Sequence, residues 1–362
     1  MKLARRVIFF LIVLTFCQPG IAQKHLEGYY LFGRMVPHSS YTANLAAPIW
    51  GIQLDADWEL TRQKRFESHL EGEPKVKSYL GGTVLYMHMG HKLTGSQFAS
   101  GVSMATRFKL NDYLFFRARM AHGFSFLSKT YDSTLNPTNF AIGSSLNYLA
   151  LITADIQFKV NKLAIVAGLN VTHVSNGNLS KPNVGLNAVN AHVGLSYRMH
   201  KDGSRKNLYV PSTGYYAFPF AVGVKMGRRE KSLEYPRSST IWVVDAMYRF
   251  QKTANSHWDM GMEWFADPNY HFNDDGTFTR VDRSQTQELA VRAGKVYLMG
   301  RLGMRLDLGM YIMKPRHSEK PSFYNAFGLD YRAGQHWIIR SRLKAHLHRA
   351  DYMEFGVSYI WI

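Results

Sequence analysis

Cysteine is all but missing from this sequence: of 362 residues only Cys17 is one. It lies in a segment that reads as a removable leader, so the rest of the chain carries no thiol. That excludes a disulfide scaffold, a cysteine nucleophile and any cysteine-based metal site. Helix-length apolar runs are missing too. Residues 7–16 are almost wholly apolar, yet they make only about half of the roughly 20 residues a membrane helix needs. Phosphate-cradling glycine loops and helix-borne zinc motifs are absent as well. Acidic residues are few, 26 Asp and Glu against 44 Lys and Arg, for a formal charge of +18.

What is present begins with the leader. Lys2, Arg5 and Arg6 precede the apolar stretch, and Gly20, Ile21 and Ala22 supply small residues at the spacing a signal peptidase reads. This predicts a secretory signal over 1–22 and a mature chain from Gln23. Phe16 is too bulky for a lipoprotein processing site at Cys17. An exported basic protein meets anions other than nucleic acid, and phosphorylated lipid at a cell surface is the natural candidate. The same cations are equally explained as lining a watery lumen or sitting in turns.

The dominant pattern is alternation with period two. Ile52, Leu54, Ala56, Trp58 and Leu60 share one face, and Gln53, Asp55, Asp57 and Glu59 the other. Leu302, Met304, Leu306, Leu308, Met310 and Ile312 repeat the pattern, with Arg305 and Asp307 opposite. Such segments recur near 25–34, 48–60, 79–89, 98–110, 113–126, 141–159, 162–175 and 187–199, then near 217–227, 239–251, 257–265, 286–298, 301–313, 324–332, 336–346 and 352–362. The clearest are longer than the five or six residues of an ordinary strand and match the roughly 9–11 that cross a bilayer at a tilt. Backbone groups in lipid must all be paired, so these strands should close. Aromatics at 14% and 29 glycines suit a barrel with aromatic girdles.

The expected fold is all-β: a transmembrane antiparallel β-barrel. It is either one barrel of about 14–16 strands, or an eight-stranded unit over 23–200 followed by a second β unit over 201–362. With the N-terminus in the periplasm, odd strands run outward. Connections at 127–140 and 266–285 are then long and external, and those at 61–78 and 200–216 long and periplasmic. Gly194-Leu195-Ser196-Tyr197 is echoed by Gly356-Val357-Ser358-Tyr359, each closing one half of the chain.

Chemistry concentrates in residues 173–187, HVSNGNLSKPNVGLN. His173 and Ser175, two apart on a strand, point the same way. They share parity with Leu163, Ile165, Leu169 and Val171. Asn187 shares parity with Val189, Val193 and Leu195 on the next strand. All three should sit on the outer, lipid-facing wall, near the outward ends of two neighbouring strands. Unpaired polar groups there are costly. A histidine beside a serine supplies a general base and a nucleophile, and on this wall it would act on a lipid. A strand leaving the bilayer at the headgroups would account for the same residues without catalysis.

His-X-Ser-Asn, with Pro-Asn-X-Gly starting seven residues after the serine, resembles the motif of the PagL-type lipid A 3-O-deacylases. The likeness is close over this stretch and looser over that family's small eight-stranded barrel, which 25–199 would mirror. Longer exported chains of this type resemble the barrel-forming relatives labelled acyloxyacyl hydrolases. The resemblance implies a bacterial outer-membrane location, lipid A or lipopolysaccharide as partner, no cofactor or metal, and hydrolysis of an ester-linked acyl chain. By position it implies Ser175 as nucleophile and His173 as general base. Asn183 would help form the oxyanion hole. Asn176 would brace the turn or the same hole, and Gly177, Pro182 and Gly185 would shape the loop.

One departure stands out. The family's third catalytic residue is a glutamate, and Asn187 occupies its place. An amide oxygen accepts the imidazole N–H but brings no charge. In a serine protease the corresponding Asp-to-Asn change costs about 10⁴ in rate, chiefly through the wrong tautomer. Either a Ser-His-Asn arrangement works, or a distant carboxylate helps, or the site is dead. Two functions therefore stay open: a lipid A deacylase, and a non-enzymatic barrel (channel, structural or lipopolysaccharide-binding) with a degenerate site. An esterase acting on phospholipid is a third. Elsewhere, His346, His348 and Glu354 read as a lumen-facing charge network, and residues 273–276 as a surface turn.

Overall fold

A computed structural model describes residues 24–361 apart from 38, 61–75, 200–219, 231–237, 254–255, 268–269, 273–277, 281–285, 300, 316–320 and 347–348. The leader expected over 1–22, most of the connection expected at 61–78, that at 200–216, His348 and the turn at 273–276 lie outside the described residues.

Among the described residues, sixteen long strands form two closed antiparallel barrels. The first comprises β1 (Lys24–Met35), β2 (Pro48–Leu60), β3 (Val76–His88), β4 (Ser96–Lys109), β5 (Leu114–Leu127), β6 (Leu146–Val160), β7 (Leu163–Ser175) and β8 (Leu186–Met199). β1 pairs with β8 to close the wall. The second comprises β9 (Phe220–Glu230), β10 (Ser238–Thr253), β11 (Ser256–Ala266), β14 (Gln287–Met299), β15 (Leu302–Met313), β16 (Phe323–Ala333), β17 (Trp337–His346) and β18 (Arg349–Ile360), closed by β18 on β9. A short hairpin, β12 (Tyr270–Phe272) with β13 (Phe278–Arg280), lies between β11 and β14. Of the two arrangements that alternation left open, the chain takes two eight-stranded units, not one barrel of 14–16 strands. β6 starts at Leu146, not at 141. Ala141 and Ile142 are instead buried in the barrel mouth, where Ile142 bridges Asn183. No helix among the described residues is long and apolar enough to cross a membrane.

Alternation decides what each face carries. Ile52 and Leu54 on β2, Ile165 and Leu169 on β7, and Phe355 and Val357 on β18 are exposed, the kind of apolar band that outer-membrane barrels turn to lipid. The inward faces carry ions. In the first barrel Arg117 lies 2.6 Å from Glu27 and 2.8 Å from Asp155, and Arg119 lies 2.6 Å from Asp57. In the second, Arg305 reaches Asp259 at 2.5 Å and Asp330 at 2.9 Å, and Arg342 reaches Glu263 at 2.7 Å. Glu354 joins this network through Arg342. These side chains are buried, and buried charges persist only when paired and hydrogen-bonded. Ion pairs thus pack both lumens. Toward the end that carries the β7–β8 connection, the first lumen turns apolar, with Leu31, Met35, Leu45, Leu85, Ile142 and Leu149 in one cluster.

The barrels pack side by side through outward-pointing residues. Met104 of β4 and Met304 of β15 share a buried cluster with Leu80, Met120 and Leu329. The His122 ring of β5 lies against Phe327 of β16 and bonds the Tyr148 hydroxyl. Nearer the β7–β8 connection, Tyr148, Leu343 and Met353 form a further cluster across the seam.

Arg117→Ala would leave Glu27 and Asp155 without their shared cation. Breaking a buried pair from one side costs about 3–5 kcal/mol. Urea unfolding of the vesicle-inserted protein should show a loss of that order. A loss under about 1 kcal/mol, typical of surface pairs, would contradict the buried network.

Candidate active site

The register of β7 on β8 sets His173 directly opposite Asn187. The imidazole Nδ1 and the Asn187 Oδ1 are 2.7 Å apart. With the amide oxygen accepting, Nδ1 carries the proton and Nε2 keeps its lone pair, which is the tautomer of a general base. Gly185, at φ +91°, comes close to this ring; a Cβ there would lie 3.1 Å from His173 Cε1.

Ser175 follows two residues on and shares the outward face with His173. Its cross-strand partner on β6 is Tyr148. Outward parity alone would leave it bare, as it leaves Val171, 46% exposed on the same face of the same strand. Ser175 is only 1% exposed. Its Oγ makes no hydrogen bond among the described residues.

The connection after Ser175 is a tight turn. Leu179 N–H donates to Asn176 O at 3.2 Å, and the two residues between, Gly177 and Asn178, have φ of +59° and +57°. Glycine and asparagine are the residues least penalised in that left-handed region. Asn183 then clasps the turn. Its Oδ1 accepts the Asn176 N–H at 2.9 Å, and its Nδ2 reaches Asn178 Oδ1 at 3.3 Å. Asn176 Nδ2 donates to Ser180 O at 2.7 Å. Of the four residues singled out by the motif, His173 and Asn187 are bonded to each other and Asn183 braces the turn, whereas Ser175, two residues along the same face, is not hydrogen-bonded to any of them.

What holds this turn from outside is not foreshadowed by any local pattern. Asn178 Nδ2 donates to the carbonyls of Ala350 at 2.7 Å and Asp351 at 2.9 Å on β18. Glu230, ending β9, donates its N–H to Asn178 O at 2.7 Å and accepts the Lys181 N–H at 2.8 Å. These partners belong to a separate closure, so no local pattern announces them. His122 and Tyr148 were also missed. The parity test that picked out His173 applies to His122 equally, because it stands on an outward face between Met120 and Phe124. Among the described residues no group of three or more His, Cys, Asp or Glu is arranged to hold a metal ion. The donors at this site are one imidazole, one hydroxyl and amides, a set suited to proton transfer and nucleophilic attack.

Two protein-family models match the chain. One, described as lipid A 3-O-deacylase (PagL), matches residues 51–196; the other, described as acyloxyacyl hydrolase, C-terminal domain, matches residues 214–361. The first takes in the whole 173–187 motif and the second takes in the second barrel. A comparison with curated protein sequences found no match. Among solved structures the chain is similar to the outer membrane enzyme PagL, at 17% identity over 46% of this chain and 97% of that one, with a TM-score of 0.33. It is also similar to the translocator domain of the autotransporter NalP from Neisseria meningitidis, at 10% identity over 99% and 94% of the two chains, with a TM-score of 0.23. The toluene transporter TodX of P. putida matches at 11% identity over 94% and 90%, with a TM-score of 0.19.

Gly177→Ala tests the turn. A Cβ there would sit 2.8 Å from Met353 Cγ and 2.9 Å from its backbone N. The left-handed φ costs an L-residue a further ~1–2 kcal/mol. Hydrogen exchange at the Leu179 and Lys181 amides should accelerate about tenfold while exchange in the first barrel's other strands stays unchanged. Unaltered exchange at both amides would mean that the turn is not held as described.

Proposed function

We propose, from the premise that the chain belongs to the PagL family of lipid A 3-O-deacylases and carries the acyloxyacyl hydrolase C-terminal domain, that it is an outer-membrane hydrolase removing an ester-linked acyl chain from lipid A. The observation that carries this reading is the His173–Asn187 bond at 2.7 Å, on the outward face two residues from Ser175. A nucleophile on that face, though buried at rest, would meet a substrate that approaches along the barrel wall.

In the proposed reaction the Ser175 hydroxyl attacks the ester carbonyl and its proton passes to His173 Nε2. Asn187 Oδ1 holds the Nδ1–H and so keeps the ring turned. The oxyanion is assigned to the Asn183 amide, whose 3.3 Å bond to Asn178 is long enough to yield to a better acceptor. Collapse expels the sugar hydroxyl, which takes the proton from His173. Water, deprotonated by the same nitrogen, then cleaves the acyl-serine, releasing the fatty acid and restoring the serine.

A second reading is a lipopolysaccharide-binding barrel whose site is degenerate. It is favoured by the neutral Asn187 and by the absence, among the described residues, of a hydrogen bond to Ser175 Oγ. The channel version has less support, because ion pairs pack both lumens.

Mass spectrometry of lipid A from cells carrying wild type, Ser175→Ala or Asn187→Glu separates the two. Wild type should remove one acyl chain and Ser175→Ala none. Asn187→Glu should raise the rate about tenfold or more, short of the ~10⁴ that the Asp-to-Asn change costs a serine protease through the wrong tautomer. Intact lipid A in every strain, with the barrel inserted, would sink the hydrolase reading.

A further inference from the structure

Leu343 of β17 and Met353 of β18 stand opposite each other in register, on the outward face of the second barrel. Their neighbours on that face are bare: Ile339 is 49% exposed and Phe355 50%. Leu343 and Met353 are only 8% and 6% exposed, because the first barrel covers them. What covers them is the strip that carries the motif. Both pack with Tyr148, the cross-strand partner of Ser175, and Ala150 and Ala350 fill in beside them. Met353 also abuts Gly177.

From this juxtaposition we propose that Leu343 and Met353 form the far wall of the acyl-chain site, so that the second barrel determines which chains reach Ser175. The inference rests on the hydrolase reading above. Three observations carry it. First, an ester presents one apolar arm and one polar arm. Tyr148, Leu343 and Met353 are the apolar surface at the buried end of the site, whereas the half-exposed motif loop, with Lys181 and Asn178, suits the polar sugar. Second, the wall is fixed in register with the loop. Asn178 bonds Ala350 and Asp351, and Glu230 is bonded from both sides of the turn. A wall so tied measures length; a loose one would not. Third, the residue nearest the turn is methionine, whose unbranched side chain re-packs around a guest more readily than a branched one. The acyl chain approaches over the exposed Val171 and Val189 and ends against this pair.

The test reads access to position 175 without needing catalysis. Ser175→Cys protein in phosphatidylcholine nanodiscs is reacted with methanethiosulfonates bearing short (ethyl) or long (dodecyl) alkyl chains, with the site of labelling located by mass spectrometry. In combination with Met353→Ala or Leu343→Ala, the dodecyl-to-ethyl rate ratio should rise about tenfold, the effect of roughly 1.4 kcal/mol. With Met353→Trp it should fall. Two substitutions to alanine are used so that one that fails to insert leaves the other to decide. An unchanged ratio in every inserted variant overturns the proposal, whether the absolute rates move together or not at all. Lipid A hydrolysis that depends on Ser175, alongside an unchanged ratio, would remove this inference alone. A shifted ratio without hydrolysis would keep the wall and remove the hydrolase reading.

Discussion

A backbone amide in hydrocarbon has no water to bond, and nearly everything in this molecule follows from that. The strands must be paired on both edges, and only closure provides it. Here closure happens twice, by β1 on β8 and by β9 on β18. Once a wall is closed, alternation sends every second side chain inward, away from lipid. Charges gather there and must satisfy one another. Arg117 and Arg305 each hold at least two carboxylates. The same constraint makes a polar residue on the outward face conspicuous, since it needs either a partner or a cover. His173 has a partner in Asn187. Ser175 is buried, next to Tyr148 across the strand pair.

The strands were legible because period-two alternation is a one-dimensional signal. All sixteen expected segments correspond to strands, and the parity of Ser175, His173 and Asn187 followed from counting by twos. The number of closures was not legible. Whether β8 bonds back to β1 or onward to β9 depends on edge pairing, and alternation is the same in either case. The echo of Gly194-Leu195-Ser196-Tyr197 in Gly356-Val357-Ser358-Tyr359 was the nearest hint. It falls on β8 and β18, the last strand of each barrel. The start of β6 was missed because Ala141 and Ile142 are apolar in either role, and only the packed mouth chooses the loop.

At the site the sequence carried residue identity but not environment. The motif supplied His173, Ser175, Asn183 and Asn187 by spacing, and spacing is blind to what lies outside the motif. The bonds from Asn178 to β18 and the two-sided attachment of Glu230 come from residues far away in sequence. Asn183 is instructive in another way. Its position suggested a donor for developing charge, whereas at rest it spends Oδ1 on the Asn176 N–H. That is the work of holding a left-handed turn in place.

The exchange of a glutamate for Asn187 has a physical logic in this setting. A carboxylate opposite His173, at a half-buried position on an outward face, would carry part of the desolvation cost that burial imposes on an ion. An amide forms the same 2.7 Å contact as a neutral pair and incurs little of that cost at rest. The difference emerges only when His173 takes a proton. At that moment a carboxylate would stabilise the new cation directly, and the amide offers its dipole alone. The substitution therefore leaves ground-state geometry largely intact and concentrates its penalty in the transition state. A low rate with the proper tautomer is the signature of that arrangement, and it differs from a site that has merely fallen apart.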